Sequence, residues 1–519
     1  MVNTPSPPII AISDSTTSRR DWVVVGTALA LGLCLLGLLF RPEIETAIYV
    51  WVNSDAYNHC FLVLPVAVYL AWDRRQVVAA TTPRPGPWIA LLAIPTAGAW
   101  FVAERLGIME GRQLMAMALL QIMVASLLGF RTWRASATPL LYLFFLVPFG
   151  EFFVQPLQNL VVHFTTAALD LVGIRNVSDG VSLEIPEGTF IVHEACSGLR
   201  FLVASAAFGV LYACVMFTTP LRRIVFIVLS LAVAIIGNCF RVVGIILIAH
   251  FMGNAQAVET GHVLWGWLFY LVIGSVLILA GLPFRQEARP PVPAMLQTSG
   301  RTSGVSIIAL TLVILFATMT RVAANYLDQL GTGTVVAAQI EMPTLPGCTV
   351  VPVPTGLPTP PAENGLALSL SSAYRCGGDL FVLTLSRYPP RIGVRPLFAS
   401  LRAAAAPPSW DIIFQTGNFR VGSGPRAPVW RVTEGSSEGG GYTAIATALW
   451  LNGRPSGDGI GARVNQALNT VRPSPLSPVL AVVTHLGSDS PSSAGRAMNA
   501  FLAGTPQLSE LVTKWLSTP

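Results

Sequence analysis

Long apolar runs separated by short polar segments make up most of the first 320 residues of the chain. A helix needs roughly 20 apolar residues to cross a bilayer. We interpret nine of these runs as membrane spans, at residues 22–40, 57–72, 87–102, 114–130, 139–154, 199–217, 224–252, 263–282 and 305–319. The pattern therefore predicts a polytopic α-helical membrane bundle of about nine transmembrane helices.

The pattern changes after the ninth run, where Gly, Pro, Ser and Thr become frequent and no spanning run follows. Alternating or continuous apolar stretches predict five strands, at residues 366–374, 380–387, 429–434, 442–451 and 479–485. Two amphipathic stretches, 459–471 and 494–502, predict helices. We expect three regions: a cytoplasmic tail (1–21), a transmembrane domain (22–322) and a soluble α+β domain (323–519).

The composition supports a membrane protein. Hydrophobic residues make up 53% of the chain and charged residues only 11%, whereas soluble proteins carry about a quarter charged residues. The net charge is +6, but the basic residues form no face interleaved with aromatics, so we expect no nucleic-acid partner. The partner that the composition implies is the lipid bilayer.

The distribution of arginine between alternate loops predicts the orientation, because short cytoplasmic loops of membrane proteins are rich in Lys and Arg. One set of loops carries acidic residues beside a few arginines, and we expect it outside. The other set is cytoplasmic by this rule and holds Arg19, Arg20, Arg74, Arg75, Arg84, Arg131, Arg134, Arg222, Arg223, Arg285, Arg289 and Arg301. With nine spans, residues 323–519 then lie outside. We expect the first run to be an uncleaved anchor, because Arg41-Pro42-Glu43 follows it instead of a small-residue cleavage site.

The longest external loop between spans leads to a cysteine. Residues 156–173 read as an amphipathic helix on the membrane surface. Residues 181–185 and 189–193 alternate with period two around Pro186-Glu187-Gly188, which predicts a hairpin. The hairpin leads directly to Cys196, which stands at the external start of the sixth span.

The seven cysteines form no CxxC pair and no Cys/His ladder, so we expect neither a metal site nor a cofactor. Cys348 and Cys376 are the two cysteines of the C-terminal domain. An external compartment is oxidising, so a disulfide between them is predicted. Two separate buried thiols are the alternative.

Three spans bring reactive side chains to the outer face. Cys196 precedes a helix, whose positive N-terminal end stabilises a thiolate, and Gly198 permits close backbone approach. Arg241 lies 17 residues into the seventh span, about 26 Å along the helix axis, and His262 opens the eighth. A Cys–His pair is a nucleophile with its base, and an arginine stabilises an oxyanion or binds a carboxylate.

Each of these residues also has an ordinary structural explanation. A cysteine in a membrane helix usually packs as a small apolar residue. Arg241 can pair with a lipid phosphate or a buried carboxylate, and His262 can simply lie at the interface. His59 and His193 stay open between structural and functional roles.

The segments that carry these residues resemble the exosortase and archaeosortase family. The matching motifs are Ala195-Cys196-Ser197-Gly198, Asn238-Cys239-Phe240-Arg241 and a histidine, His262, that opens a later span. Residues 53–59 are similar to the family's Tyr-x-His stretch, although Cys60 stands where that stretch usually continues with Gly. The C-terminal domain resembles, weakly, an external domain that accompanies some exosortases of exopolysaccharide loci.

The resemblance implies a cysteine protease/transpeptidase of the bacterial inner membrane whose catalytic face and C-terminal domain are periplasmic. It implies Cys196 as nucleophile, His262 as acid/base and Arg241 as transition-state stabiliser, with Asn238, His59, Ser197 and Gly198 in support. The substrates it implies are exported proteins that end in a short motif such as Pro-Glu-Pro, a membrane helix and a basic tail.

Two other classes of protein remain possible from the sequence. A transporter or exopolysaccharide-assembly subunit would carry buried polar groups at the bilayer midplane within repeated halves, and the chain shows no internal repeat. A non-enzymatic envelope scaffold would act through the C-terminal domain.

Overall fold

The computed structural model describes residues 15–79, 81–179, 181–192, 196–252, 262–286, 302–331, 344–354, 368–406, 410–421, 428–437, 442–472, 474, 476–488 and 491–505. The chain divides into two compact units. The first comprises Met1–Ala97 and Glu110–Thr318, and the second comprises Gly98–Met109 and Met319–Pro519. Assignment of the short segment Gly98–Met109 to the second unit is a feature that the sequence did not predict.

The described residues up to 330 are mainly helical, as the apolar runs predict. Its α-helices are α1 Ser15–Leu39, α2 Arg41–Asn53, α3 Cys60–Asp73, α4 Arg75–Ala79, α5 Pro87–Ala90, α6 Ala93–Arg105, α7 Met109–Leu128, α8 Phe130–Ala135, α9 Ala137–Tyr142, α10 Val154–Val172, α11 Leu199–Met216, α12 Pro220–Met252, α13 His262–Gly281 and α14 Thr302–Leu330. Short 3₁₀ helices cover Asp55–Tyr57, Leu143–Leu146, Glu151–Phe153 and Leu282–Phe284.

Within the described residues, six helices are long and apolar enough to cross a membrane, or seven if one bent pair counts as a span. The count of nine spans stays a prediction, and two of the predicted spans do not form a long continuous helix. Helix α3 has only 14 residues. The predicted span 139–154 is interrupted, because Ala137–Leu146 and Glu151–Val172 meet at a bend of 66°. Gly150 lies at this bend with φ +129°, a conformation that favours glycine.

A buried ion pair fixes α2 against α7. Arg112 donates from Nε at 3.0 Å and from Nη2 at 2.5 Å to Glu43 Oε1. Both side chains are 2% exposed. Gln113 Nε2 donates to the Glu43 carbonyl at 3.0 Å. Charges removed from water in this way must be paired, and loss of either partner would leave the other uncompensated.

The loop that leads to Cys196 contains the predicted amphipathic helix, α10, and a small antiparallel sheet. The predicted hairpin forms from β2 Ser182–Ile185 and β3 Gly188–Ile191, and an additional strand, β1 Val177–Asp179, pairs with β2. Buried residues of α10 and of this sheet pack with residues of α12 in one apolar cluster. The sheet therefore lies against the helix that carries Asn238 and Arg241.

The second unit is built on an antiparallel sheet. Its strands are β4 Cys348–Val351, β5 Leu368–Cys376, β6 Asp379–Arg387, β7 Trp410–Arg420, β8 Val429–Ser437, β9 Tyr442–Leu451, β10 Arg454–Ser456 and β11 Val479–Ser488. Their order is β4-β5-β6-β11-β9-β8-β7, with β10 paired to β9. Three of its described helices follow the first strands in sequence: α15 Val394–Ala405, α16 Ile460–Val471 and α17 Pro491–Gly504.

The sheet has an apolar core on each face. On one face α15 and α16 pack on Ile445, Leu449 and Leu480. On the other face α17 packs through Met498 and Phe501. Burial on both faces explains why β9 and β11 are apolar almost throughout, instead of alternating. The result is a layered α+β arrangement.

The two cysteines of this unit are joined. Cys348 and Cys376 form a disulfide, and they face each other in the pairing of β4 with β5. The bond closes a loop with a sequence separation of 28 residues. It fastens the edge strand β4 to the sheet and restricts the unfolded chain.

Candidate active site

Cys196 lies immediately before α11 and is partly buried. The turn that follows it depends on Gly198, which precedes the helix with φ 86° and ψ 4°. The carbonyl of Gly198 accepts hydrogen bonds from Phe201 N at 3.1 Å and Leu202 N at 3.0 Å, which begin the helix. Ser197 is buried, and its Oγ accepts from Leu199 N at 3.3 Å. Local backbone geometry thus holds the cysteine at a helix start.

Helix α12 presents Asn238 and Arg241 to this turn. Asn238 Nδ2 donates to the Cys196 carbonyl at 2.9 Å. Arg241 Nη1 donates to Asn238 Oδ1 at 3.4 Å. Both side chains are buried, at 1% and 8% exposed. The structure therefore links the predicted Cys196 and Arg241 through Asn238.

Two aromatic residues, Tyr270 and Phe201, lie beside Asn238 and Arg241 in the described part of the structure. Tyr270, on α13, donates from its hydroxyl to Asn238 Oδ1 at 3.3 Å and stacks on Phe201. The Arg241 guanidinium lies over the Phe201 ring, with Cζ 5.5 Å from the centroid. A cation held over an aromatic face is stabilised by the ring quadrupole. Asn238 and Phe201 therefore contact the arginine directly, and Tyr270 supports both of these residues.

The charge balance around Cys196 favours a neutral thiol. Burial raises the pKa of Cys196, and the positive charges of Arg241 and Arg200 lower it only in part. The expectation that the helix start stabilises a thiolate is thus incomplete. Removal of water from the sulfur raises the pKa of the thiol more than the nearby cations lower it. A neutral thiol at pH 7 needs a base to become a nucleophile.

The segment that resembles the Tyr-x-His stretch lies beside the start of α11. The 3₁₀ helix Asp55–Tyr57 packs on α11, and Arg200 Nη1 lies 3.5 Å from Asp55 Oδ2. His59 is partly buried, with Nδ1 3.2 Å from the Ala56 carbonyl and Nε2 3.9 Å from Cys60 Sγ. These contacts place the stretch near the turn that carries Cys196. The described contacts include no hydrogen bond between His59 and Cys196.

The third predicted residue can be placed only by its backbone. His262 is the first residue of α13, as the sequence predicts, but its side chain lies outside the described part of the structure. His193 also lies outside it. Among the residues that the structure describes, no group of three or more His, Cys, Asp or Glu side chains is arranged to hold a metal ion.

Sequence reasoning missed Tyr270 and Phe201. Tyr270 follows His262 by eight residues, which is about 12 Å along a helix and slightly more than two turns. A hydroxyl in an apolar run, about two turns after a candidate catalytic histidine on the same helix, was a usable signal. Phe201 carried no such signal, because aromatic residues are common throughout the spans.

Replacement of Gly198 by alanine is expected to destabilise the site. A Cβ at this position would lie 2.7 Å from Asn238 Cγ and Nδ2, and φ is +86°. Both the overlap and the left-handed backbone cost free energy, of order 1–3 kcal/mol. We expect a lower melting temperature of the full chain in detergent. Gly244→Ala is the matched control, because a Cβ there meets nothing within 4 Å. An unchanged melting temperature of Gly198→Ala would contradict the close contact between Gly198 and Asn238.

The fold and the site together define a class: a multi-pass membrane protein with a cysteine held beside a buried Asn–Arg pair at the start of a spanning helix. Residues 51–279 match the family model described as transmembrane exosortase, Exosortase_EpsH. Residues 51–279 are therefore similar to the exosortase family. The match does not extend to residues 319–519. No curated protein and no solved structure matches the chain.

Proposed function

We propose that this protein is a membrane-embedded cysteine peptidase and transpeptidase that cleaves C-terminal sorting signals of exported proteins through a thioester on Cys196. The observation that carries the proposal is the contact set Cys196–Asn238–Arg241. It joins two motifs that are 42 residues apart in sequence and that belong to the family-matched region. A packing cysteine would need neither a buried arginine nor an amide bonded to its carbonyl.

The reaction follows from the chemistry of these groups. The Cys196 sulfur attacks the scissile carbonyl and loses its proton to a base, for which we assign His262. The C–N bond then breaks, the same proton passes to the leaving amine, and a thioester remains. A nucleophile with an exchangeable hydrogen, either an acceptor amine or hydroxyl group or water, attacks the thioester and restores the thiol.

Arg241 suits stabilisation of the oxyanion. Its charge is buried and held by Asn238 and Phe201, and a preorganised cation in a water-poor site stabilises developing negative charge more strongly than in bulk water. Asn238 and Tyr270 act as positioning residues. Asn238 bonds both to Arg241 and to the backbone of the nucleophile, so it sets the distance between them.

The proposed setting is the outer face of a bacterial inner membrane, with the C-terminal domain in the periplasm. The arginine bias of the loops supports this orientation. A substrate with a short motif, a membrane helix and a basic tail would present its scissile bond at this depth, because its own helix would lie beside the bundle.

The experiment that tests the function is processing of a reporter. An exported protein that ends in a Pro-Glu-Pro motif, an apolar helix and an arginine tail is co-expressed with the full chain. We expect loss of the tail by mass spectrometry, and we expect hydroxylamine to release a hydroxamate from the thioester. A reporter with a scrambled motif is the control. Retention of the intact tail on the reporter with the native motif would contradict the proposal.

The raised pKa of Cys196 predicts a pH profile for its alkylation. Iodoacetamide reacts with the thiolate, so a raised pKa keeps the rate low at neutral pH. The rate should still climb at pH values where that of an ordinary thiol, which is half ionised at about pH 8.5, has levelled off. We expect peptide mapping of Cys196 to show this delay relative to N-acetylcysteine. Arg241→Gln should delay the rise further, because it removes a charge that lowers the pKa. A plateau below pH 8 would contradict the burial of the sulfur.

A further inference from the structure

The first unit contains an apolar groove of about 270 Å³ between α1, α2 and α7. Its charged and amide side chains are Glu43 and Gln113, and Glu43 is the acceptor in the buried ion pair between α2 and α7. One small residue on each helix lines the groove: Gly37 on α1, Ala47 on α2 and Ala116 on α7. Small residues let another helix approach closely within a membrane.

The groove is open on the side of α1. A Cβ added to Gly37 would meet no atom within 4 Å. Leu33 lies one turn earlier, lines the groove and is 51% exposed. The described side chains therefore leave room for an apolar group from outside the chain.

Gln113 gives the groove its polar feature. The residue is 5% exposed. Its Nε2 donates to the Glu43 carbonyl at 3.0 Å, whereas its Oε1 is buried and has no hydrogen-bond partner among the described residues. An acceptor without a donor is costly in an apolar setting that excludes water. A ligand that brings an N–H group to Gln113 would remove this cost.

The groove lies beside the elements that contact the start of α11. Val147 lines it. Three residues later, a Cβ on Gly150 would lie 3.3 Å from Leu199 Cδ1, and three extended residues span at most about 11 Å. Helix α2, another wall of the groove, leads into the 3₁₀ helix Asp55–Tyr57, which packs on α11. A ligand in the groove is therefore close to the turn that carries Cys196.

The chemistry of the groove fits the N-terminal end of an apolar helix. The first four backbone N–H groups of a helix have no partner within the helix, and each needs an acceptor when water is excluded. The groove offers an acceptor that lacks a donor, set among apolar and small residues. A lipid acyl chain would match the apolar walls, but it has no donor for Gln113.

We propose that this groove binds the first turns of the transmembrane helix of another protein. A backbone N–H of that helix donates to Gln113 Oε1, and one of its apolar side chains lies over Gly37. The inference rests on the proposed function, because the proposed substrate carries an apolar helix directly after the motif. The groove would hold this helix while the motif reaches Cys196, so it determines specificity and takes no part in the bond-breaking step.

The test is photocrosslinking in membranes that contain the full chain and the reporter with the motif, the apolar helix and the arginine tail. Benzoylphenylalanine replaces either Leu33 or Leu31. Leu31 is 54% exposed, does not line the groove and lies on the opposite side of α1. An epitope after the arginine tail stays with the reporter helix whether or not the reporter is cleaved. We expect a crosslink from position 33 to the first turns of the reporter helix and little or none from position 31.

The other outcomes are distinct. A crosslink to a second copy of the chain would make the groove an interface between copies, and modification of lipid alone would make it a lipid site. Either result would overturn the inference, as would equal crosslinking from positions 33 and 31. Cleavage of the reporter without a crosslink from position 33 would overturn the inference and leave the peptidase function intact. A crosslink without cleavage would support the groove and contradict the peptidase function.

A variant that fills the groove tests its role in processing. Gly37→Leu should raise the KM for the reporter about tenfold and leave kcat unchanged, because it removes contacts that are equal in the ground state and the transition state. Gly26→Leu is the matched control. Gly26 is also on α1, a Cβ there meets nothing within 4 Å, and the residue does not line the groove.

A second pair of variants tests the acceptor. Gln113→Leu should raise the KM about threefold to tenfold. Gln121→Leu is its control, because Gln121 is also buried on α7, donates from Nε2 to the Leu140 carbonyl at 2.8 Å and has an Oε1 without a described partner, but does not line the groove. If Gln113→Leu does not insert, Gly37→Leu decides. An unchanged KM in the decisive variant would overturn the inference.

Discussion

Cys196→Ala is expected to abolish processing of the reporter, with a fall in rate of at least about a thousandfold, because no other group supplies the electron pair for attack on the carbonyl. Cys196→Ser should behave almost identically. A serine hydroxyl is far less acidic than a thiol, and a base suited to a thiol does not activate it equally. The measurement is the fraction of reporter that loses its tail, at matched levels of membrane-inserted protein.

Two other cysteines provide controls for this result. Cys34 is exposed on α1, so Cys34→Ser should leave processing unchanged. Cys239 is adjacent to Asn238 and buried, so Cys239→Ala tests whether a second sulfur carries the reaction. Normal processing by Cys196→Ala would remove the peptidase assignment. Loss of processing in Cys239→Ala alone would move the nucleophile to Cys239.

Removal of residues 323–519 separates the peptidase from the scaffold alternative. A peptidase built on Cys196 and Arg241 has its described chemistry in the first unit, so it keeps processing if the truncated chain inserts. A scaffold that acts through the C-terminal domain loses its role completely. Cleavage of the reporter by the truncated chain would therefore exclude the scaffold as the sole function.

The sequence predicted the position of Arg241 along its helix, but it did not predict the contacts between neighbouring helices. The rise of 1.5 Å per residue places Arg241 near the level of Cys196 once the entry point of the helix is known. The hydrogen bond from Asn238 to the Cys196 carbonyl depends on how α11 and α12 are rotated about their axes. The stacking of Phe201 on Tyr270 also involves α13. Such contacts depend on how three helices pack together, and the periodicity of one helix does not predict them.

In the C-terminal unit, buried strands could be predicted from the sequence and an edge strand could not. The predicted strand 442–451 coincides with β9, because burial on both faces makes most of its residues apolar. Strand β7, Trp410–Arg420, was missed. Among the described strands it is the last of the sheet and pairs with β8 alone, so polar residues such as Asp411 and Gln415 interrupt its apolar pattern. In the membrane unit, the predicted span 139–154 is not one continuous helix, because the chain bends by 66° between Leu146 and Glu151, and it stays a prediction as a span.

Arg241→Gln is expected to lower the rate of processing by about 10²–10³-fold, the loss observed when one oxyanion donor is removed from a preorganised site. Glutamine keeps a hydrogen-bond donor of smaller reach but removes the charge that faces the developing oxyanion. Arg241→Lys should recover part of the rate, because lysine restores the charge without the planar fork that bonds to Asn238. This ordering, arginine above lysine above glutamine, separates a charge effect from simple loss of packing.

Controls for Arg241 lie on its own helix and within its contact set. Arg222 is exposed at the other end of α12 and donates to the Phe284 carbonyl, so Arg222→Gln should leave processing within about twofold of wild type, in the range of surface substitutions. Tyr270→Phe removes the hydroxyl that bonds Asn238 and should reduce the rate by less than Arg241→Gln. If Arg241→Gln and Arg222→Gln process the reporter equally well, Arg241 only stabilises the bundle, and the stabilisation of the oxyanion must come from another group.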